Sequence, residues 1–219
     1  MKKSAIRRPV RSFGWSRVEP RGIESPVFRT LESGKSGHPE EAGSSRGGFP
    51  GVVRNGVIKT APNLGTDRFA GFDLAHSLQK TLGKPCRVLN DADVQGYAVI
   101  SGHGLEVVAT LGTGFGTAIF HEGELCPHLE VAHLPFRPGK DYDGVLGNAA
   151  RKKAGKKKWN KRVREAIENL RVLTNFDHLY LGGGNAKKLK GKLPENVTVV
   201  DNAAGILGGI RLWEDPRHR

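Results

Sequence analysis

The sequence predicts an α/β protein with a parallel or mixed sheet, and three observations carry that expectation. Apolar, β-rich segments alternate with segments of helical spacing, and glycine turns fall at the ends of strands. The run Asn90-Asp91-Ala92-Asp93 stands where a strand passes into a helix, which is where open α/β sheets present residues to a ligand.

From Met1 to Gly47 no period of two or 3.6 is sustained, and ten Lys and Arg stand against five Glu. That composition reads as a basic, disordered tail or as an arm for nucleic acid. The stretch lacks two helices joined by a turn, which argues against sequence-specific DNA binding.

Order is expected from Gly48, where strand, Asn55-Gly56 turn and strand make a hairpin. Phe72 to Leu82 has helical spacing, Cys86 to Leu89 is a short strand, and a helix is expected from Ala92 to Ser101. Glu106 to Thr110 and Thr117 to Phe120 read as strands joined by the glycine turn Leu111-Gly-Thr-Gly-Phe-Gly116. Gly144 to Leu173 is helical, with Trp159, Val163, Ile167 and Leu170 on one face. His178 to Leu181 makes a strand into Gly182-Gly-Gly184, and a helix is expected over Ala203 to Trp213.

A formal net charge of +13 in 219 residues would attract phosphates, nucleic acid or an anionic surface, and charge alone does not choose among them. Two cysteines, Cys86 and Cys126, are too few for a disulfide framework or a cysteine zinc site and suit a reducing cytoplasm. Apolar runs such as Val107 to Leu111 are far short of the ~20 residues of a membrane span. A cytoplasmic protein is expected, with no membrane partner.

Several groups could carry chemistry. A carboxylate at Asp91 can take the proton from an attacking hydroxyl, or it can simply cap the helix that follows. The turn holding Gly112, Thr113, Gly114 and Gly116 can cradle phosphoryl oxygens with its amides, or be a plain glycine hairpin. Gly182, Gly183, Gly184 and Asn185 form a second loop of the same kind. Glu130 and His133, three apart, could both address one polyol, or be unrelated surface groups. Between Arg151 and Arg171 ten basic residues face two Glu, either a solvated face or a seat for a polyanion.

Taken in order, Gly48-Phe-Pro-Gly51, Ala61-Pro-Asn-Leu64, Leu89-Asn-Asp-Ala-Asp93, Leu111-Gly-Thr-Gly-Phe-Gly116, Glu130-Val-Ala-His133 and Leu181-Gly-Gly-Gly-Asn185 resemble the ROK family of sugar kinases, most nearly its polyphosphate glucokinases. The resemblance implies an actin-like ATPase (ribonuclease H-like) two-lobed fold. Residues 48–103 would then belong to the N-terminal lobe and 104–219 to the C-terminal lobe. It further implies phosphorylation of the glucose 6-hydroxyl, or that of a similar hexose, from polyphosphate or ATP with Mg2+. Asp91 would be the general base, Asn63, Asn90, Glu130 and His133 would hold the other hydroxyls, and the two glycine loops would bind the donor. The family commonly forms homodimers.

Three departures qualify the resemblance. Ala132 stands where the family has glycine, and the family's cysteine zinc motif is absent, so no zinc is expected. The family's opening Asp-x-Gly-Gly-Thr phosphate loop is not found before Gly48. The first lobe is therefore expected to be incomplete. The alternative to an active kinase is a truncated or frame-altered relic of the same fold that binds sugar and transfers phosphate poorly.

Overall fold

The structure, a computed structural model, describes residues 29–32 and 45–200. The helix expected over Ala203 to Trp213, and most of the tail expected before Gly48, lie outside the described residues.

Two sheets organise the chain. In the first, β1 (Arg29–Glu32) runs antiparallel to β2 (Ser45–Phe49), which runs parallel to β5 (Cys86–Asn90). This corrects the expectation of an element-free tail through Gly47. Neither strand alternates apolar and polar residues; their pairing is made by backbone hydrogen bonds, which leave no side-chain period to read. The expected hairpin forms as β3 (Val53–Arg54) and β4 (Val57–Ile58). Asn55 at φ 50° and Gly56 at φ 77° supply the two left-handed residues that such a two-residue turn needs.

A short helix, α1 (Thr66–Phe69), and the amphipathic α2 (Leu74–Leu82) cover this sheet. The Asp73 side chain caps α2 by accepting from the His76 amide, and Gly83 ends it in the left-handed region. Phe49, Ile58, Phe69, Leu74, Leu78 and Val88 form the core beneath.

The second sheet has the order β12-β11-β6-β7-β8. Its strands are β6 (Leu105–Leu111), β7 (Phe115–His121), β8 (Glu124–Leu125), β11 (His178–Gly182) and β12 (Val197–Val199). The sheet is mixed: β6, β11 and β12 are parallel, whereas β7 is antiparallel to both β6 and β8.

Strand β6 is apolar almost throughout because both its faces are covered. Val107, Ala109 and Leu111 meet a core built on Trp159, Val163, Ile167 and Leu170, the helical face expected from their spacing. Val108 meets a separate cluster with Leu89, Val94, Tyr97 and Phe120 on the opposite side. That second side is covered by α3 (Asp91–Gly96). The helix ends earlier than its spacing suggests, at Gly96, where a Cβ would lie 2.3 Å from the Phe120 ring.

The single helix expected over Gly144 to Leu173 is two, α4 (Tyr142–Leu146) and α5 (Asn148–Thr174), with a further break at Gly155, φ 75°. Asp141 caps α4 by accepting from the Gly144 amide. A small antiparallel pair, β9 (Pro135–Arg137) and β10 (Lys140–Asp141), precedes it. Among the described residues no helix is long and apolar enough to cross a membrane.

One buried charge holds the second sheet to the segment before it. Glu106, fully buried in β6, accepts hydrogen bonds from the Ser101 amide and hydroxyl, the Gly102 amide and the Tyr180 hydroxyl, at 2.7 to 2.9 Å. Burial pushes its carboxyl up, but these donors outweigh burial and hold it below the ordinary glutamate value. A depressed folded-state value stabilises the fold above the ordinary one, and that stability is lost as pH falls through the depressed value. Glu106→Gln turns one acceptor into a donor facing N–H or O–H groups. The expected loss is about 2–3 kcal/mol, a fall in Tm of about 5–10 °C. Thermal unfolding between pH 3 and 7 should show the acid slope flattened in the variant.

Candidate active site

The carboxyl end of β5 and the start of α3 form the centre of the site. Asn90 is the N-cap: its Oδ1 accepts from the Ala92 amide at 2.8 Å, and its Nδ2 donates to the Gly51 carbonyl at 3.1 Å. Asp91 is therefore the first helical residue and not the cap, which leaves its carboxylate available for chemistry. The residue is exposed at the surface while protein atoms crowd around its carboxyl. Burial raises its carboxyl above the ordinary aspartate value. The Ala92 amide and His128 oppose that rise, and the nearby charge of Asp93 adds to it.

Two glycines let other segments approach. A Cβ on Gly48 would lie 3.2 Å from Asp91 Cα, so β2 runs directly beside the carboxylate-bearing residue. A Cβ on Gly116 would lie 3.2 Å from Ala92 Cβ, which sets the end of the first glycine loop against the same helix turn.

That loop, Gly112 to Gly116, is held from three directions. The Gly112 amide donates to Gly114 O at 3.0 Å, and the Asn148 amide at the start of α5 donates to Gly112 O and Thr113 O. Asp143 of α4 accepts from the Phe115 amide. The second loop locks onto the first. The Asn185 amide donates to Leu111 O at 2.9 Å and its Nδ2 to Gly112 O at 3.0 Å, while Lys188 Nζ donates to Asn185 Oδ1. Gly183, at φ 86°, packs so closely that a Cβ would lie 2.5 Å from Leu111 O. The two loops, 70 residues apart in sequence, form one continuous rim.

Glu130 and His133 sit on a 3-10 turn, Val131–His133, and on the residue before it. Thr60 Oγ1 lies 3.4 Å from Glu130 Oε1, which links this segment to the chain after the β3–β4 hairpin. Asn63 is exposed in the turn that follows Thr60. His133 is half-exposed, with Nε2 3.9 Å from Glu130 Oε2 and Nδ1 3.5 Å from Asp141 Oδ2. Asn90, Asp91 and Glu130 are thus carried by segments in mutual contact, and the two glycine loops border them through Gly116.

Sequence reasoning missed Thr60, Asp143 and the buried pair Asp93–His128. His128 Nδ1 lies 3.0 Å from Asp93 Oδ1, with side-chain exposures of 7% and 3%. Asp143 had a readable signal, since Asp141-Tyr-Asp-Gly144 opens a helix. The other partners are 70 and 35 positions apart.

A profile of the ROK family matches residues 30–130. The chain is 31% identical over 176 residues to the polyphosphate glucokinase of Mycobacterium tuberculosis (strain CDC 1551 / Oshkosh), a match covering 73% of this chain and 66% of that protein. This chain therefore spans just under two thirds of the length of that relative. Among solved structures, an inorganic polyphosphate/ATP-glucomannokinase from Arthrobacter sp. strain KM superposes with a TM-score of 0.66 at 28% identity, over 76% of this chain and 71% of that one. A ROK family glucokinase from Streptomyces griseus, in complex with glucose and AMPPNP, superposes at 0.61 with 16% identity, over 75% of this chain and 79% of that one. The actin-like ATPase fold expected from the motifs is the fold these neighbours share with the chain.

Proposed function

The chain belongs to the ROK family, and from that premise we propose that it is a glucokinase-type phosphotransferase that moves a phosphoryl group from polyphosphate or ATP to the 6-hydroxyl of glucose. The observation that carries this reading is the seat of Asp91. It is a carboxylate freed from capping by Asn90, with its proton affinity raised by burial, and its helix turn is flanked by Gly48 and by Gly116 of the rim formed by the two glycine loops.

In this mechanism Asp91 accepts the proton of the attacking hydroxyl as the bond to phosphorus forms. Asn63, Asn90, Glu130 and His133 hold the remaining hydroxyls. The rim from Gly112, Thr113, Gly114 and Gly116 to Gly182, Gly183, Gly184 and Asn185 receives the donor phosphates. Asn185 acts chiefly as a clasp, because both ends of its amide are engaged within the protein. Mg2+ would neutralise charge on the donor's phosphates. Among the described residues no His, Cys, Asp and Glu cluster suits a metal ion alone, and Asp143, the carboxylate on the rim, already accepts from Phe115. The exposed Lys152, Lys153, Lys156, Lys157, Lys158 and Lys161 on α5 support a polyanionic donor.

The test is formation of glucose 6-phosphate by the purified chain with Mg2+, using ATP and polyphosphate in parallel. Transfer with either donor is the expected result. Glucose binding without transfer from either would favour a sugar-binding protein of the same fold.

Gly183→Ala probes the donor side alone. Its positive φ and its contact with Leu111 backbone give the added methyl nowhere to go. The second loop is expected to withdraw from the first and to lower kcat/KM for the donor on the order of 10- to 100-fold, while calorimetric glucose affinity stays near wild type.

A further inference from the structure

His128 has a buried side chain, unlike the half-exposed His133, and it lies between α3 and the segment proposed to hold the sugar. Its Nδ1 faces both carboxylate oxygens of Asp93, at 3.0 and 3.1 Å, and its Nε2 lies 3.9 Å from Glu130 Oε1. Asp93 stands two residues after Asp91 on α3, whereas Glu130 stands two residues after His128 on the segment that leads to His133.

We propose that His128 is a positioning residue for sugar phosphorylation: as an imidazolium it clasps the helix that carries Asp91 to the segment that carries Glu130, and its charge keeps Asp91 able to accept a proton. This inference rests on the kinase reading above.

The geometry favours the charged ring. A cation between Asp93 and Glu130 offsets two carboxylates that would otherwise repel each other in a poorly solvated place. The titratable groups acting on the ring are Asp93 and Asp91 from α3 and Glu130 from its own segment, all acidic. Burial lowers the proton affinity of the imidazole, but the hydrogen bond to Asp93 and the three negative charges outweigh it, so the ring holds its proton above the ordinary histidine value. In return, His128 opposes the upward shift of Asp91. A raised value means that the clasp is complete below the ordinary histidine value and opens as pH rises through the ring's own, higher one.

The experiment measures glucose affinity by calorimetry and phosphoryl transfer on the full chain from pH 5.5 to 9.5, for wild type, His128→Gln, His128→Asn and Asp93→Asn, with folding checked by thermal unfolding. Wild-type affinity is expected to decline on the alkaline side. His128→Gln is expected to bind glucose on the order of tenfold more weakly at pH 5.5, where the wild-type ring is charged, to show no alkaline decline, and to lose turnover at a higher pH on the acid side because Asp91 loses a compensating cation. His128→Asn places its amide donor where Nδ1 faces Asp93, which the longer Gln does not, so it should recover part of the affinity without recovering the alkaline decline; it also serves if His128→Gln does not fold. Asp93→Asn should move the alkaline decline to lower pH. Wild-type affinity and wild-type pH profiles in both His128 variants would overturn the clasp while leaving the kinase reading intact. A wild-type chain that neither binds glucose nor transfers phosphate at any pH would overturn both.

Discussion

Asp91→Asn is expected to lower turnover by about 10²- to 10⁴-fold, the usual contribution of a positioned general base, while glucose affinity changes little. The substitution keeps size and shape and removes only the capacity to take a proton. The fold should tolerate it, because the helix cap is made by Asn90 and not by Asp91. Stability at neutral pH is therefore expected to be unchanged or somewhat higher, because a carboxyl whose value rises on folding costs stability while it is ionised. Burial raises the Asp91 carboxyl, and a base must be unprotonated to act. Activity should accordingly fall on the acid side through a value above the ordinary aspartate range, and Asp91→Asn should remove that limb from whatever residual rate persists. A coupled assay across pH with saturating glucose decides it. An Asp91→Asn enzyme with the wild-type rate would remove Asp91 from the mechanism.

Trp159→Ala carries the largest expected loss of stability, about 3–5 kcal/mol, or a fall in Tm of about 10–15 °C. The indole is fully buried in the main core, and its Nε1 donates to Leu146 O at 2.8 Å. Truncation removes the largest of the fully buried side chains, leaves a cavity under the five-stranded sheet, and strips a buried carbonyl of its donor. Trp159→Phe keeps most of the apolar contact and loses only the hydrogen bond, so about 1–2 kcal/mol is expected there. The bond joins α5 to the end of α4, and the Asn148 amide beside that junction donates to the first glycine loop. Donor affinity should therefore weaken in Trp159→Ala even well below its Tm, which chemical denaturation and donor titration together would register.

Much of the local structure around the candidate site is legible in the sequence, because its parts depend on neighbouring residues. Asn55-Gly56 supplies two residues that adopt left-handed backbone at small cost, so the hairpin is readable from two letters. The buried face of α5 follows from the spacing of Trp159, Val163, Ile167 and Leu170. The strand-to-helix passage at Asn90-Asp91 and the two glycine loops lie at strand ends, where such runs of residues announce themselves. The β1–β2 and β9–β10 pairs did not show, being short strands without an apolar period, and β12, although Val-Thr-Val alternates, is only three residues long.

The sequence by itself determined the α/β order, the core face of α5, the glycine loops and the motifs shared with the ROK family, since each depends on residues within a turn or two of one another. Tertiary structure alone decided that Asn90 and not Asp91 caps α3. It alone decided that Asn185 is spent clasping Gly112, and that His128 is buried against Asp93. Those outcomes depend on which groups 35 to 73 positions apart compete for the same hydrogen bond once the sheets are packed. Side-chain periodicity records which face is buried and holds nothing about the partner met there.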